Sequence, residues 1–269
     1  MRVVHGCESI RGRMKKLFIA VGLLLSLAAC ASGSYVMPAT PQQAASIKTI
    51  GIVSVIGQRV TYMNMGWMKG TREESSGDTE NWGFDQFALE KLTAKLSPRY
   101  KIVPIEIDRT KSTGTEKSVS EALRATLKPG QPPVDAYLVL YPTYSADYIS
   151  DSGAALNGLG VYRRKGSSIQ VFAACDLALL DAKTFATLGG GQLGTSEVKI
   201  TTADYLSGQA LSKSTRNGEL AHRKINAKLA VANSWDEFTP EQLEQVKAGI
   251  TSLLNDSLDY PLKGMGLVQ

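Results

Sequence analysis

The sequence predicts an α/β (α+β) fold, in which a single mixed β-sheet contains an antiparallel meander and carries helices packed on it. Runs rich in β-branched residues with near-alternating polarity, such as 47–56, are typical of strands. Two segments, 84–96 and 240–258, instead repeat apolar residues at helical spacing. Three strand-like runs follow one another across short turns and predict the meander: 158–164, 167–181 and 185–193.

The first predicted strand, 47–56, is followed by a hairpin partner at 59–65, with the turn at Gly57 and Gln58. A polar loop at 69–81 comes next and is rich in Gly, Ser, Thr and acidic residues. Because this loop is longer than a simple connection needs, we expect it to be mobile or functional.

The first helix is predicted at 84–96, where apolar residues recur every four positions. Asp85 falls in its first turn, where a negative charge suits the helix dipole. The run 100–107 then predicts a strand, and Pro104 within it indicates an edge position or a bulge, since proline cannot donate to the ladder.

A second helix is predicted to begin at Ser118, whose hydroxyl can form a capping box with Glu121, and to end before Pro129. The apolar run 135–141 predicts a central strand. In the third run of the meander, three successive glycines at 189–191 indicate a bulge or a turn.

The last helix has a well-marked beginning, with Thr239 as the cap, Pro240 in the first turn and Gln242 completing a capping box. Its apolar residues lie on one face, so we expect it to pack across the sheet. The segment 201–233 is predicted to be a variable loop or insertion with some helix in 224–232.

The amino-terminal segment has a basic flank at Lys15 and Lys16, a 13-residue apolar run at 17–29, and the sequence Leu27-Ala28-Ala29-Cys30. As a helix this run would span roughly 20 Å, whereas a bilayer core needs about 30 Å, so a processed signal is favoured over a membrane span. The segment resembles the signal of bacterial lipoproteins. That resemblance implies cleavage before Cys30 and diacylglycerol on the Cys30 thiol.

The predicted organisation is therefore a lipoprotein signal peptide at 1–29, a lipidated Cys30 with a flexible tether to residue 46, and one periplasmic domain at 47–269. Two alternatives stay open: an ordinary secreted protein with an unmodified Cys30, and a true start at Met14 rather than Met1. Since Ala31 rather than Asp follows Cys30, the resemblance favours the periplasmic face of the outer membrane, with inner-membrane anchoring as the alternative.

The formal net charge of +5 comes mostly from the leader, which holds five of the 30 basic residues and one of the 25 acidic ones. The remaining chain is nearly neutral, which gives no electrostatic reason to expect nucleic acid as a partner. The one local basic cluster, Arg163-Arg164-Lys165, is predicted to be a solvated hairpin turn.

After cleavage one internal cysteine, Cys175, and one histidine, His222, remain besides Cys30. Cys175 lies in an apolar run and is predicted to be a small buried core residue rather than a nucleophile. His222 lies in a polar stretch and is predicted to be at the surface. Because no nucleophile–base or metal-ligand spacing is present, we predict no catalytic residue, no cofactor and no metal site.

The order of elements resembles the small α/β domain of envelope accessory proteins: the curli-export pore subunit, the lipoprotein activators of cell-wall synthases, and the amino-terminal domain of the Tol β-propeller protein. The run from Asp176 to the turn Asp181-Ala182-Lys183-Thr184 carries this resemblance. Phe185 departs from it, since glycine is common at that position. The resemblance concerns the fold more than any role.

These features favour a non-catalytic, membrane-anchored binding or accessory protein whose partners are the bilayer, through Cys30, and another envelope protein or cell-wall component. The expected contact surfaces are 67–82 and 144–162, which are rich in Trp and Tyr. Taken singly, Trp67 and Trp82 are more typical of packing residues.

Two rival functions remain. The first is a cell-wall hydrolase that uses a pair of loop carboxylates, drawn from Asp78, Glu80, Asp85, Asp147 and Asp151. The second is an oligomeric export-pore subunit, although the segment 153–164 is short for two membrane-spanning strands.

Overall fold

A computed structural model shows one large curled mixed sheet with helices packed on it, which confirms the predicted fold class. It describes residues 36–65, 72–109, 115–127, 134–146, 155–164, 169–194, 221–225 and 232–269. The strands are β1 Val36–Met37, β2 Thr49–Ser54, β3 Arg59–Met65, β4 Arg72–Asp78, β5 Lys101–Pro104, β6 Ala136–Pro142, β7 Tyr144–Ala146, β8 Ala155–Arg164, β9 Gln170–Asp181, β10 Thr187–Gln192 and β11 Ala221–Lys224. The helices are α1 Pro41–Ser46, α2 Phe84–Leu96, α3 Glu116–Thr126, α4 Pro240–Ser257 and α5 Asp259–Gly264, with short 3₁₀ turns at Glu80–Trp82 and Trp235–Glu237.

Strand β9 organises the sheet. Its amino-terminal half pairs with β8 and β11, and its carboxyl-terminal half pairs with β6 and β10, all antiparallel. The predicted meander β8–β9–β10 is therefore confirmed, including an irregularity between Thr187 and Gly189 where the glycines indicated a bulge. The predicted turn at Lys165 lies outside the described residues.

The predicted hairpin between β2 and β3 is wrong. Strand β2 lies between two parallel neighbours, β5 and β6, so both of its edges are occupied. Strand β3 instead runs parallel to β8 and antiparallel to β4. As predicted for a strand that contains Pro104, β5 lies at one edge of the sheet.

The predicted loop 69–81 is also corrected, because 72–78 forms the edge strand β4, paired with β3 over seven residues. Most of its side chains are exposed and polar, which is why its sequence resembles a loop. Gly77 is the buried position in this strand. A Cβ there would lie 1.8 Å from Nε1 of Trp235, so only glycine admits that indole.

Part of the predicted tether is folded. Val36 and Met37 pair with Gly191 and Gly190 of β10, and α1 begins at a capping box in which Thr40 accepts from the Gln43 amide. Residues 36–46, which the sequence assigns to the tether, therefore include a short strand and a short helix. The glycines of β10 allow the close approach, since a Cβ on Gly189 would lie 3.0 Å from the Met37 carbonyl oxygen.

Helices α2, α3 and α4 lie where the sequence predicts helices, and only the first residue of α3 differs; α1 and α5 were not predicted. Helix α3 begins one residue after Thr115, whose hydroxyl accepts the Ser118 amide at 3.2 Å, so Ser118 is the third helical residue rather than the cap. Helix α2 and helix α4 begin as predicted, and Thr239 accepts the Gln242 amide at 3.3 Å. The apolar face of α4 packs against β9 and β11.

Three further predictions concern the middle of the chain. The predicted contact segment 144–162 includes strand β7 and most of strand β8, which pair antiparallel, so β8 begins at Ala155 rather than at the predicted residue 158. Arg163 lies in β8 and donates to the Ala232 carbonyl at 2.6 Å, so it is not part of a solvated turn. Within 201–233, residues 221–224 form strand β11, which the sequence did not indicate; the predicted helix lies largely outside the described residues.

Candidate functional site

A polar cleft of about 510 Å³ opens beside the carboxyl end of β2. Both segments that the sequence predicts as contact surfaces contribute to it. Ser76, Asp78 and Glu80 come from 67–82, and Asn157 and Gly158 come from 144–162. The remaining lining residues are Val55, Ile56, Gln58, Arg59, Thr61 and Pro142.

The register of three strands explains why these residues share a wall. Thr61 of β3 lies opposite Ser76 of β4 on one side and Gly160 of β8 on the other. Arg59 lies opposite Asp78. Because directly opposed residues point to the same face of a sheet, β3 and β4 present their side chains to the cleft in pairs. Strand β8 contributes through Asn157 and Gly158.

The loop after β2 is held by the buried carboxylate of Asp85, in the first turn of α2. Its Oδ1 accepts from Ser54 Oγ at 2.7 Å and from the Ile56 amide at 2.8 Å. Its Oδ2 accepts from the Gly57 amide at 3.1 Å and from Arg109 Nη1 at 2.8 Å. With four donors on two oxygens, Asp85 fixes one wall of the cleft, and it is structural rather than one half of an open carboxylate pair.

The other candidate acids fall into two groups. Asp78 and Glu80 both line the cleft, and Asp78 Oδ1 accepts from the Glu80 backbone amide at 3.0 Å. Asp147 and Asp151 lie outside the described residues. Of the five predicted carboxylates, the structure thus brings Asp78 and Glu80 to one site and places Asp85 behind its wall.

The tryptophans behave as packing residues where they are described. The Trp82 ring lies 5.6 Å from Phe84 and 5.8 Å from Trp235, and Trp235 lies 5.5 Å from Phe238. This confirms the packing interpretation for Trp82, while Trp67 lies outside the described residues. Trp235 holds the outer strand in place, since its backbone amide donates to Ser75 Oγ at 2.7 Å.

Cys175 is fully buried in the main core, as predicted, and burial raises the pKa of its thiol well above the ordinary value. His222 is half-buried and lies opposite Phe172 on the neighbouring strand. Since side chains alternate along a strand, Phe172 and Cys175 face opposite sides of the sheet. The structure therefore does not bring Cys175 and His222 together.

Sequence reasoning missed one ionisable group, Asp176. It is 8% exposed, and within the part of the chain that the structure describes its Oδ1 has no hydrogen-bond partner. Burial is the main cause that raises its pKa to about 6; a hydrogen bond from Thr143 acts in the opposite direction, and the nearby Glu116 adds to the rise. A single acid inside the apolar run 169–180 was the available signal.

Cys30 lies outside the described residues, so the predicted lipid attachment stays a prediction. Among the described residues, no helix is long and apolar enough to cross a membrane, and no three His, Cys, Asp or Glu side chains are grouped so that they could share a metal ion. No protein-family model matches the chain, and none of the curated proteins matches it significantly.

Proposed function

We propose that this chain is a bacterial lipoprotein, attached through Cys30 to the periplasmic face of the outer membrane, whose domain binds another envelope protein or a cell-wall component. The sequence Leu27-Ala28-Ala29-Cys30, which closes a short apolar run, supports the attachment. Two or three acyl chains on one residue give stable anchoring, because each buried CH₂ contributes about 0.8 kcal/mol.

The observation that carries the binding role is the meeting of 67–82 and 144–162 on one cleft. The cleft offers amide, hydroxyl, cationic and anionic groups beside a small apolar patch formed by Val55, Ile56 and Pro142. Because Asp85 fixes the loop from Ser54 to Gly57, little ordering of that wall accompanies binding, which favours affinity.

Site-specific photo-crosslinking in cells tests this role. A photoreactive residue is placed at Gln58 or Asn157 in the cleft and, as a matched control, at Glu244 on α4. We expect the two cleft positions to capture the same envelope protein or cell-wall fragment, and the control not to capture it. Equal capture from Glu244, or different products from the two cleft positions, would contradict the proposal.

A cell-wall hydrolase remains the second candidate because Asp78 and Glu80 line the same cleft. The double variant Asp78→Asn, Glu80→Gln separates the two functions. A binding protein retains crosslinking of its partner, at reduced yield, and releases no soluble fragments from purified peptidoglycan before or after the change. Fragment release by the wild type that the double variant abolishes would favour the hydrolase.

A further inference from the structure

The outer edge of β4 is exposed and presents regularly spaced backbone groups. Among the described residues β4 pairs with β3 alone. Arg72, Glu74, Ser76 and Asp78 are all exposed, so nothing in the described part of the chain covers this edge at those positions.

The direction of the outward backbone groups follows from one hydrogen bond. The Thr79 amide donates to the Gln58 carbonyl at 3.1 Å, which makes residues 79 and 58 a hydrogen-bonded pair. Since such pairs alternate along an antiparallel ladder, the even-numbered residues 72, 74, 76 and 78 direct their N–H and C=O groups away from β3. They form a template for a further antiparallel strand.

The charges of β4 select its partner. We propose that this edge pairs with the same strand of a second copy of the chain, antiparallel and centred on Ser75. In this register Arg72 lies opposite Asp78 of the second copy, and Glu74 lies opposite Ser76, with both relations repeated by symmetry. All four outward-facing residues then form hydrogen-bonded pairs.

The neighbouring registers of the two strands are less favourable, because they oppose like charges or lose backbone hydrogen bonds. Centring on Glu74 opposes two glutamates, and centring on Ser76 opposes Glu74 with Asp78. A shift by a single residue sets outward-facing backbone groups against inward-facing ones and loses the ladder. The Ser75-centred arrangement pairs opposite charges, and it places the two clefts on the same face of a continuous sheet because Ser76 and Asp78 line each cleft.

Disulfide crosslinking of the full chain in isolated membranes tests the register, with an added thiol oxidant so that the result does not depend on the cellular compartment. The two Ser75 residues form a non-hydrogen-bonded pair with a Cα–Cα distance of about 4.5 Å, within disulfide range. The two Ser76 residues are diagonal neighbours about 7–8 Å apart, beyond that range. We therefore expect Ser75→Cys to give a covalent dimer at several times the yield of Ser76→Cys, although Ser76 is the more exposed.

A charge exchange tests the same pairing without a crosslink, and it covers the case in which Ser75→Cys disturbs the contact with Trp235. Arg72→Asp and Asp78→Arg should each lower the dimer association constant about tenfold, since each sets like charges opposite one another. The association constant of the double variant should return to within about threefold of the wild-type value. Sedimentation of the detergent-extracted full chain measures these constants.

Any of four outcomes would overturn the proposal: a monomeric wild type at tens of micromolar, equal crosslinking at 75 and 76, a disulfide to a different protein, or a double variant no better than the single ones. The sedimentation outcomes depend neither on a lipid at Cys30 nor on what the cleft binds, so this inference can fail while the proposed function stands.

Discussion

Asp176→Asn is expected to stabilise the protein at neutral pH and to leave its stability nearly unchanged at pH 4. The carboxyl group is buried, and its pKa rises from 3.8 to about 6 in the folded chain, chiefly because burial disfavours the charged form. The unfolded chain therefore loses its proton at a lower pH than the folded chain, and ionisation opposes folding. Asparagine has nearly the same shape and carries no charge.

The size of the effect follows from the difference between the two pKa values. A difference of one pKa unit corresponds to 1.36 kcal/mol, so Asp176 lowers the free energy of unfolding by about 3 kcal/mol above pH 7. The penalty falls as the pH drops through about 6 and is small near 4, since a raised folded-state pKa gives an acid its favourable contribution at low pH. Wild type should lose about 2–3 kcal/mol relative to the Asn variant between pH 4 and pH 7.5.

Chemical denaturation at pH 4, 6 and 7.5 measures this difference, followed through the fluorescence of Trp82 and Trp235, which pack against each other. Asp181→Asn is the matched control on the same strand. Hydrogen bonds from Thr184 and Lys183 lower the pKa of Asp181, so its charge favours folding above its unfolded pKa and loses that effect as the pH falls. The two variants should change stability in opposite directions at neutral pH; parallel pH profiles of wild type and Asp176→Asn would refute the reasoning.

Three further experiments test the packing. Cys175→Ala should cost about 1–2 kcal/mol of stability and leave partner capture intact. Loss of capture by a folded variant would instead indicate a functional role for the thiol. Phe185 has a positive φ of 60°, so Phe185→Gly should be about 1 kcal/mol more stable than Phe185→Ala, as thermal melts would show; the reverse order would contradict a left-handed residue there. Gly160→Ala should lower the free energy of unfolding by about 3 kcal/mol or more, because the new Cβ would lie 2.1 Å from the Phe172 ring. Gly190→Ala should lower it less, because the nearest contact of its new Cβ is at 3.3 Å. Equal losses of stability would show that the Gly160 contact is not tight.

Apolar periodicity predicted most elements but not their pairing. The strand at 49–54 is evident from its β-branched residues, yet its partner β6 begins more than 80 residues later, and nothing local shows that the pairing is parallel. The hairpin prediction assumed that strands consecutive in the sequence pair with each other in the sheet. Two distant strands instead occupy both edges of β2, and Asp85 fixes the loop that would have been the hairpin turn.

The sequence did not predict strand β4 or the cleft as a whole, because both depend on contacts between residues that are distant in the chain. Strand β4 is polar because it lies at an edge and buries Gly77 alone, so its pattern does not differ from that of a loop. The cleft could be predicted in part, since the sequence selected both of its contributing segments but not their meeting, which depends on the parallel pairing of β3 with β8. Phe185, which departs from the glycine that the resemblance implies, has a left-handed backbone with φ of 60°, a conformation that glycine adopts without strain.

The most direct test of the central claim is mass spectrometry of the amino-terminal peptide of the protein isolated from bacterial membranes. We predict that this peptide begins at Cys30 and carries a diacylglyceryl group on sulfur, and that Cys30→Ser removes the lipid and releases the protein from the membrane fraction. A peptide with an unmodified Cys30, or a Cys30→Ser variant that fractionates as the wild type does, would contradict the account.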